Sequence, residues 1–146
     1  MNTQSLRTVF EQLNPRITPE EWRYLERELV PVSLKRKAHF LEEGERQNSI
    51  GFLFKGLIRE SYLDREGNEN TVWFFQENGF VTDYPALLQD IPTRNTFTCL
   101  EPCELILIPQ RVVLESYDRF PSFERFGRLV AEQVLIQLQN RMENSL

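Results

Sequence analysis

The stretch IPTRNTFTCLEPCEL, Ile91 to Leu105, holds both cysteines of this 146-residue chain and an arginine placed where a loop could meet an anion. A proline, a threonine and Arg94 lead into an alternating segment. That is the composition of a loop that ends by offering a guanidinium fork to an anion and then becomes a strand. Side-chain parity qualifies the idea. If the larger apolar residues Phe97 and Cys99 face the interior, Asn95 and Thr93 share their face, and Arg94, Thr96 and Thr98 face solvent. One residue of register separates a ligand contact from a surface charge.

Other reactive residue types are sparse. His39 is the only histidine, whereas a metal-dependent jelly-roll enzyme of the cupin type brings several histidines and a carboxylate to one ion. Cys99 and Cys103 match no common zinc spacing, and Pro102 between them points to a turn. No Ser-His-Asp set, nucleotide-phosphate loop or dinucleotide fingerprint is present. The densest basic run, Leu34-Lys35-Arg36-Lys37, reads as the wet edge of a strand. A net charge of −5, from 17 basic and 22 acidic side chains, argues against the chain wrapping a polyphosphate backbone by itself. No apolar run approaches the ~20 residues of a membrane helix, and the polar N-terminus is no signal peptide. A cytoplasmic protein with free thiols and no metal is expected.

Three blocks position these residues. In residues 1–30, Leu6, Val9, Phe10 and Leu13 have helical spacing, and Asn14-Pro15 stops it. Thr18-Pro19-Glu20-Glu21 then forms a capping-box start for a second helix carrying Trp22, Leu25 and Leu29, ended by Pro31. Residues 31–110 carry short runs of branched and aromatic residues. Strands are predicted at Val32–Lys37, Ser49–Phe54, Leu57–Asp64, Asn70–Gln76, Asn95–Leu100 and Glu104–Pro109. Gly44, Gly56, Gly67 and Gly79 recur every 11 or 12 residues, a punctuation suited to a many-stranded jelly roll. Residues 111–146 return to helical spacing, with a short helix at Arg111–Tyr117 and a long one after Pro121. Phe123, Phe126, Val130, Val134, Leu138, Met142 and Leu135 cover about half of that helix's circumference, with Leu129 and Ile136 off the arc. That is more apolar surface than one buried face needs, the alternative being a helix packed only on its own barrel. Phe126, Val130, Val134, Leu138 and Met142 are therefore read as a homodimer interface between twin helices.

The order of these parts resembles the cyclic-nucleotide-binding domain of the catabolite-activator and fumarate-nitrate-regulator (Crp/Fnr) superfamily of bacterial transcription regulators. The residues that carry the resemblance are Phe40-Leu41-Glu42-Glu43-Gly44-Glu45, Gly56-Leu57-Ile58-Arg59, Gly67, Asn78-Gly79-Phe80 and Leu100-Glu101-Pro102-Cys103-Glu104-Leu105. It implies a mainly β fold, a double-stranded β-helix (jelly roll), with short N-terminal helices and a long C-terminal dimerisation helix. It also implies a phosphate-binding cassette, in which a Gly-Glu pair opens a short helix and an arginine after a proline pairs with the cyclic phosphate. Laid on that pattern without gaps, this chain has Thr82-Asp83 at the Gly-Glu pair and Thr93 at the arginine, with Arg94 one place later. Pro85 removes an amide donor as well.

The resemblance thus implies an effector-sensing and dimerisation domain that does not bind cyclic AMP in the family's usual way. A small polar effector would contact Asp83, Thr93 and Asn95, with Arg94 a fourth candidate. Iron–sulfur chemistry is not expected, because no cysteine precedes Cys99. DNA would be read only through a helix-turn-helix module that is not in this chain. The alternatives are a ligand-free dimeric scaffold with a degenerate pocket and, more remotely, a cupin-like enzyme.

Overall fold

The computed structural model describes residues 2–145. The chain opens with α1 (Gln4–Leu13) and α2 (Pro19–Glu26). At the start of α2 the Thr18 side chain accepts from the Glu21 amide, and the Glu21 side chain accepts from the Thr18 amide. The helix ends earlier than its apolar spacing predicts. Leu29 lies past Glu26, in a turn where the Glu28 and Leu29 amides donate to the Leu25 and Glu26 carbonyls. Pro31 is no terminator. It lies in the first strand, where proline is tolerated because that strand is at a sheet edge.

The strands are β1 (Val30–Leu34), β2 (His39–Leu41), β3 (Ser49–Lys55), β4 (Ile58–Leu63), β5 (Glu69–Phe75), β6 (Phe80–Val81), β7 (Thr96–Cys99) and β8 (Cys103–Pro109). They form two antiparallel four-stranded sheets, ordered β1-β8-β3-β6 and β2-β7-β4-β5. A short helix, α3 (Tyr84–Gln89), separates β6 from β7, and α4 (Gln110–Arg119) and α5 (Pro121–Ser145) close the chain. The architecture is a jelly roll with flanking helices.

Two apolar clusters hold it together. Leu41, Leu53, Ile58, Val81, Phe97 and Leu105 fill the space between the sheets. Phe52, Ile106 and Ile108, on the other face of the first sheet, pack under Leu6, Phe10, Trp22, Leu25, Phe123 and Phe126 of the helices. The first sheet is therefore covered on both faces. That explains why GFLF in β3 and LILI in β8 are continuous apolar runs rather than alternating ones. In the second sheet β7 alternates between buried and half-buried positions, whereas β5 carries the run Val72-Trp73-Phe74-Phe75 with Phe74 exposed.

Candidate functional site

The cassette region begins where β6 ends at Val81. Asp83 caps α3: one carboxylate oxygen accepts from the Ala86 amide at 3.2 Å. Its other oxygen accepts a short hydrogen bond from the Thr93 hydroxyl. The Asp83 amide donates to Gln47 Oε1 at 2.8 Å, and Gln47 Nε2 donates to Thr82 Oγ1 at 3.0 Å and to Gln110 Oε1 at 3.1 Å. The Thr93 backbone is tied to the loop after β2, its carbonyl accepting from Gly44 and its amide donating to Glu45, both at 2.9 Å. Asp90, in the left-handed region at φ 52°, ends α3 and pairs with Arg46 at 3.1 Å.

The expected ligand contacts are thus redistributed. Asp83 and Thr93 are buried and satisfy each other. The Asp83 carboxylate offers an anion no donor, and the Thr93 hydroxyl proton is committed within the protein. Arg94 is exposed at the rim and makes no hydrogen bond or ion pair with the described residues. Asn95 is half-buried, and its side-chain amide donates to Glu60 Oε2 at 2.7 Å.

Beside the cassette lies a cavity of about 950 Å³, bounded by β5, the segment after β6 and the inner side of α5. Trp73, Phe75, Phe80 and Tyr84 supply apolar wall; Glu60, Arg94 and Asn95 supply polar groups; Val130, Val134 and Leu138 close it from the helix. Of the consecutive aromatics in β5, Phe75 stacks on Phe97 with centroids 5.7 Å apart. Trp73 carries the Arg141 guanidinium 5.3 Å from its ring centroid, and Phe74 is exposed. Arg141 also donates to the Val72 carbonyl in a short hydrogen bond, fastening the end of α5 to β5.

Glu60 is the polar residue that composition does not bring forward. It pairs across β4 with Trp73 of β5 and with Phe97 of β7, and Ile58, two residues earlier, is fully buried. Parity therefore turns Glu60 inward. Burial raises its carboxyl above the usual glutamate range, the Asn95 hydrogen bond opposes this, and the nearby Asp83 charge raises it further. The signal was present in Ile58-Arg59-Glu60, where an inward isoleucine implies an inward glutamate.

The residues expected at a dimer interface divide. Phe126 is buried in its own chain, stacked on Phe10 at 3.9 Å, and offers nothing to a partner. Val130 packs on the same cluster and Val134 is half-buried at the cavity. Leu138 and Met142 are exposed, and Leu135 and Ile136 with them. His39 is at the surface, 3.7 Å from Glu42. The basic run Lys35-Arg36-Lys37 lies in the turn after β1 rather than in that strand.

The model of the cyclic nucleotide-binding domain matches residues 31–120. The chain belongs to that family. No curated protein matches this cyclic nucleotide-binding domain in sequence. Among solved structures it is similar to the Thermus thermophilus catabolite activator protein, at 13% identity and TM-score 0.72, covering 92% of this chain and 62% of that one. It is also similar to the sensor domain of the transcriptional regulator DNR from Pseudomonas aeruginosa, at 19% identity and TM-score 0.69, over 98% of this chain and 89% of that one. A cyclic nucleotide-binding domain from Methylobacillus flagellatus gives TM-score 0.79 at 11% identity, over 98% and 81%. The chain thus spans less than two thirds of the Thermus protein. No helix among the described residues is long and apolar enough to cross a membrane.

Proposed function

We propose that this domain is the effector-sensing and dimerising part of a Crp/Fnr-like transcription regulator, and that its effector is not held by cyclic phosphate contacts. The carrying observation is the internal closure of the cassette. The Asp83 carboxylate caps α3 and takes the Thr93 hydroxyl, in the place where the family's pattern has an arginine. A phosphate there would meet a buried carboxylate, while Arg94 stays exposed at the rim of the cavity.

The cavity still spans cassette, sheet and long helix, so a bound molecule would touch the jelly roll and α5 together. Differential contacts of that kind bias one helix arrangement over another and could re-aim an attached DNA-reading module by population shift. Binding, not chemistry, is the activity assigned.

The test combines calorimetry against cyclic AMP and cyclic GMP with native mass spectrometry of the freshly purified protein. The expected result is no micromolar nucleotide binding, together with a retained small molecule. Micromolar cyclic AMP affinity that disappears in Arg94→Ala would reverse the ligand half of this reading. An empty cavity in native spectra, with silence across a metabolite screen, would favour a dimeric scaffold instead.

A further inference from the structure

We propose that the cavity takes a small organic cation, an amine or amidine on an aromatic or apolar body, anchored by the Glu60 carboxylate against the Trp73 wall. This rests on the reading of the cavity as the effector site and names the chemistry of its occupant.

Strand parity gives the first argument. Position 60 points to the same side as Ile58 and is flanked across the sheet by Phe97 and Trp73. An apolar side chain is what such a position demands, and a carboxylate there is a local conflict of the kind that marks functional sites. The second argument is charge. Glu60 receives one amide hydrogen bond, from Asn95, and takes part in none of the ion pairs among the described residues. Its neighbour Arg59 is committed to Glu69 at 3.2 Å and to Thr71 at 2.7 Å. Arg94 borders the same cavity without pairing to Glu60. Asp83, close enough to push the Glu60 carboxyl upward, adds further negative potential.

A carboxylate taken partly out of water gains most from a cation that it can meet directly. The walls suit the same partner, because aromatic faces attract a desolvated ammonium or amidinium. Trp73 already holds the Arg141 guanidinium over its ring. The amide of Asn95 can orient the Glu60 oxygen that receives the ligand.

Phenethylamine, 2-phenylethanol and phenylacetate share one body and differ in charge, so they test the claim on the full chain by calorimetry and amide-resolved NMR. Phenethylamine is expected to bind about tenfold or more tightly than 2-phenylethanol and to shift the Trp73 indole and Asn95 side-chain signals. Glu60→Gln should weaken phenethylamine by about tenfold and leave 2-phenylethanol unchanged. Tighter binding of phenylacetate at those signals would overturn the cation while leaving the cavity a ligand site. Equal phenethylamine affinity in wild type and Glu60→Gln would overturn the anchor. Absence of any response at Trp73 and Asn95 would defeat the inference, and the native mass spectrum would then decide the effector reading separately.

Discussion

At the scale of single residues, the site is governed by two acids with opposite arrangements, Asp83 buried and Glu60 partly buried. Asp83 is fully engaged, capping α3 and receiving Thr93. Replacing it with alanine removes a cap and leaves the Thr93 hydroxyl only its weaker acceptor, the Asn95 carbonyl at 3.2 Å, so Asp83→Ala should cost about 1–2 kcal/mol in a urea titration. Glu60 is under-engaged, and its folded carboxyl titrates above the ordinary value of 4.5. The folded state therefore holds more protons than the unfolded one just above pH 4.5, and the Glu60 contribution to stability is lost as pH rises through the folded value. Glu60→Gln should be at least as stable as wild type, with an advantage in melting temperature that widens from pH 4.5 toward neutrality. A gap that stays constant with pH would refute the burial of that carboxylate. The thiols make a third case. Cys99 is pushed up to about 12 by burial and by its neighbour Cys103. Both cysteines should resist an aromatic disulfide reagent at about pH 8 until denaturant is added.

At the scale of elements, the long, strongly patterned segments could be read from the residues, and the short or doubly covered ones could not. Thr18-Pro19-Glu20-Glu21 specified the start of α2 because its capping chemistry is local. β4 and β5 lie within a residue of their predicted bounds because their branched and aromatic runs are bounded by Gly56, by the Asp64–Asn68 turn and by Gly79. β2 and β6 span three and two residues, too short to carry a period. α3 is six residues long, and its strongest marker, the Asp83 cap, depends on Gln47 and Thr93, which are distant in sequence. The cassette's closure was illegible for the same reason: parity separated Thr93 from Arg94, but the residue that would meet Thr93 is fixed by tertiary structure. The β3–β4 turn offers a controlled test of packing. Gly56 sits at φ 117°, and a Cβ there would come within 2.5 Å of the Cys103 sulfur and 2.8 Å of the Pro102 carbonyl. Gly67, at φ 83°, has open space around the same position. Gly67→Ala should lose only the conformational term, about 1–2 kcal/mol. Gly56→Ala should lose clearly more in the same denaturant series, and equal losses would show that the turn relaxes freely.

At the scale of the whole molecule, α5 is a wall of the cavity and also carries the exposed residues of the proposed dimer seam. Val130, Val134 and Leu138 line the cavity. Leu135 and Met142, 64% and 69% exposed, lie close to Leu138 around the helix, three residues before it and four after it. Leu138 therefore borders both surfaces. A dimer seam along Leu135, Leu138 and Met142 predicts that Leu135→Glu or Met142→Glu gives a folded monomer by light scattering with unchanged far-ultraviolet circular dichroism. Phe126→Glu, by contrast, should unfold the chain, because that ring is stacked inside its own core. Linkage then constrains function. If occupancy of the cavity shifts how α5 sits, ligand affinity must differ between dimer and monomer, and the dimer constant must shift by the same factor on ligand saturation. Phenethylamine titrated into wild type and into Leu135→Glu measures one side of that cycle, and dilution calorimetry with and without saturating ligand measures the other. Matching, non-unit factors would establish a sensor that signals through its dimer, whereas factors of one in a ligand-binding protein would reduce the shared helix to a shared wall.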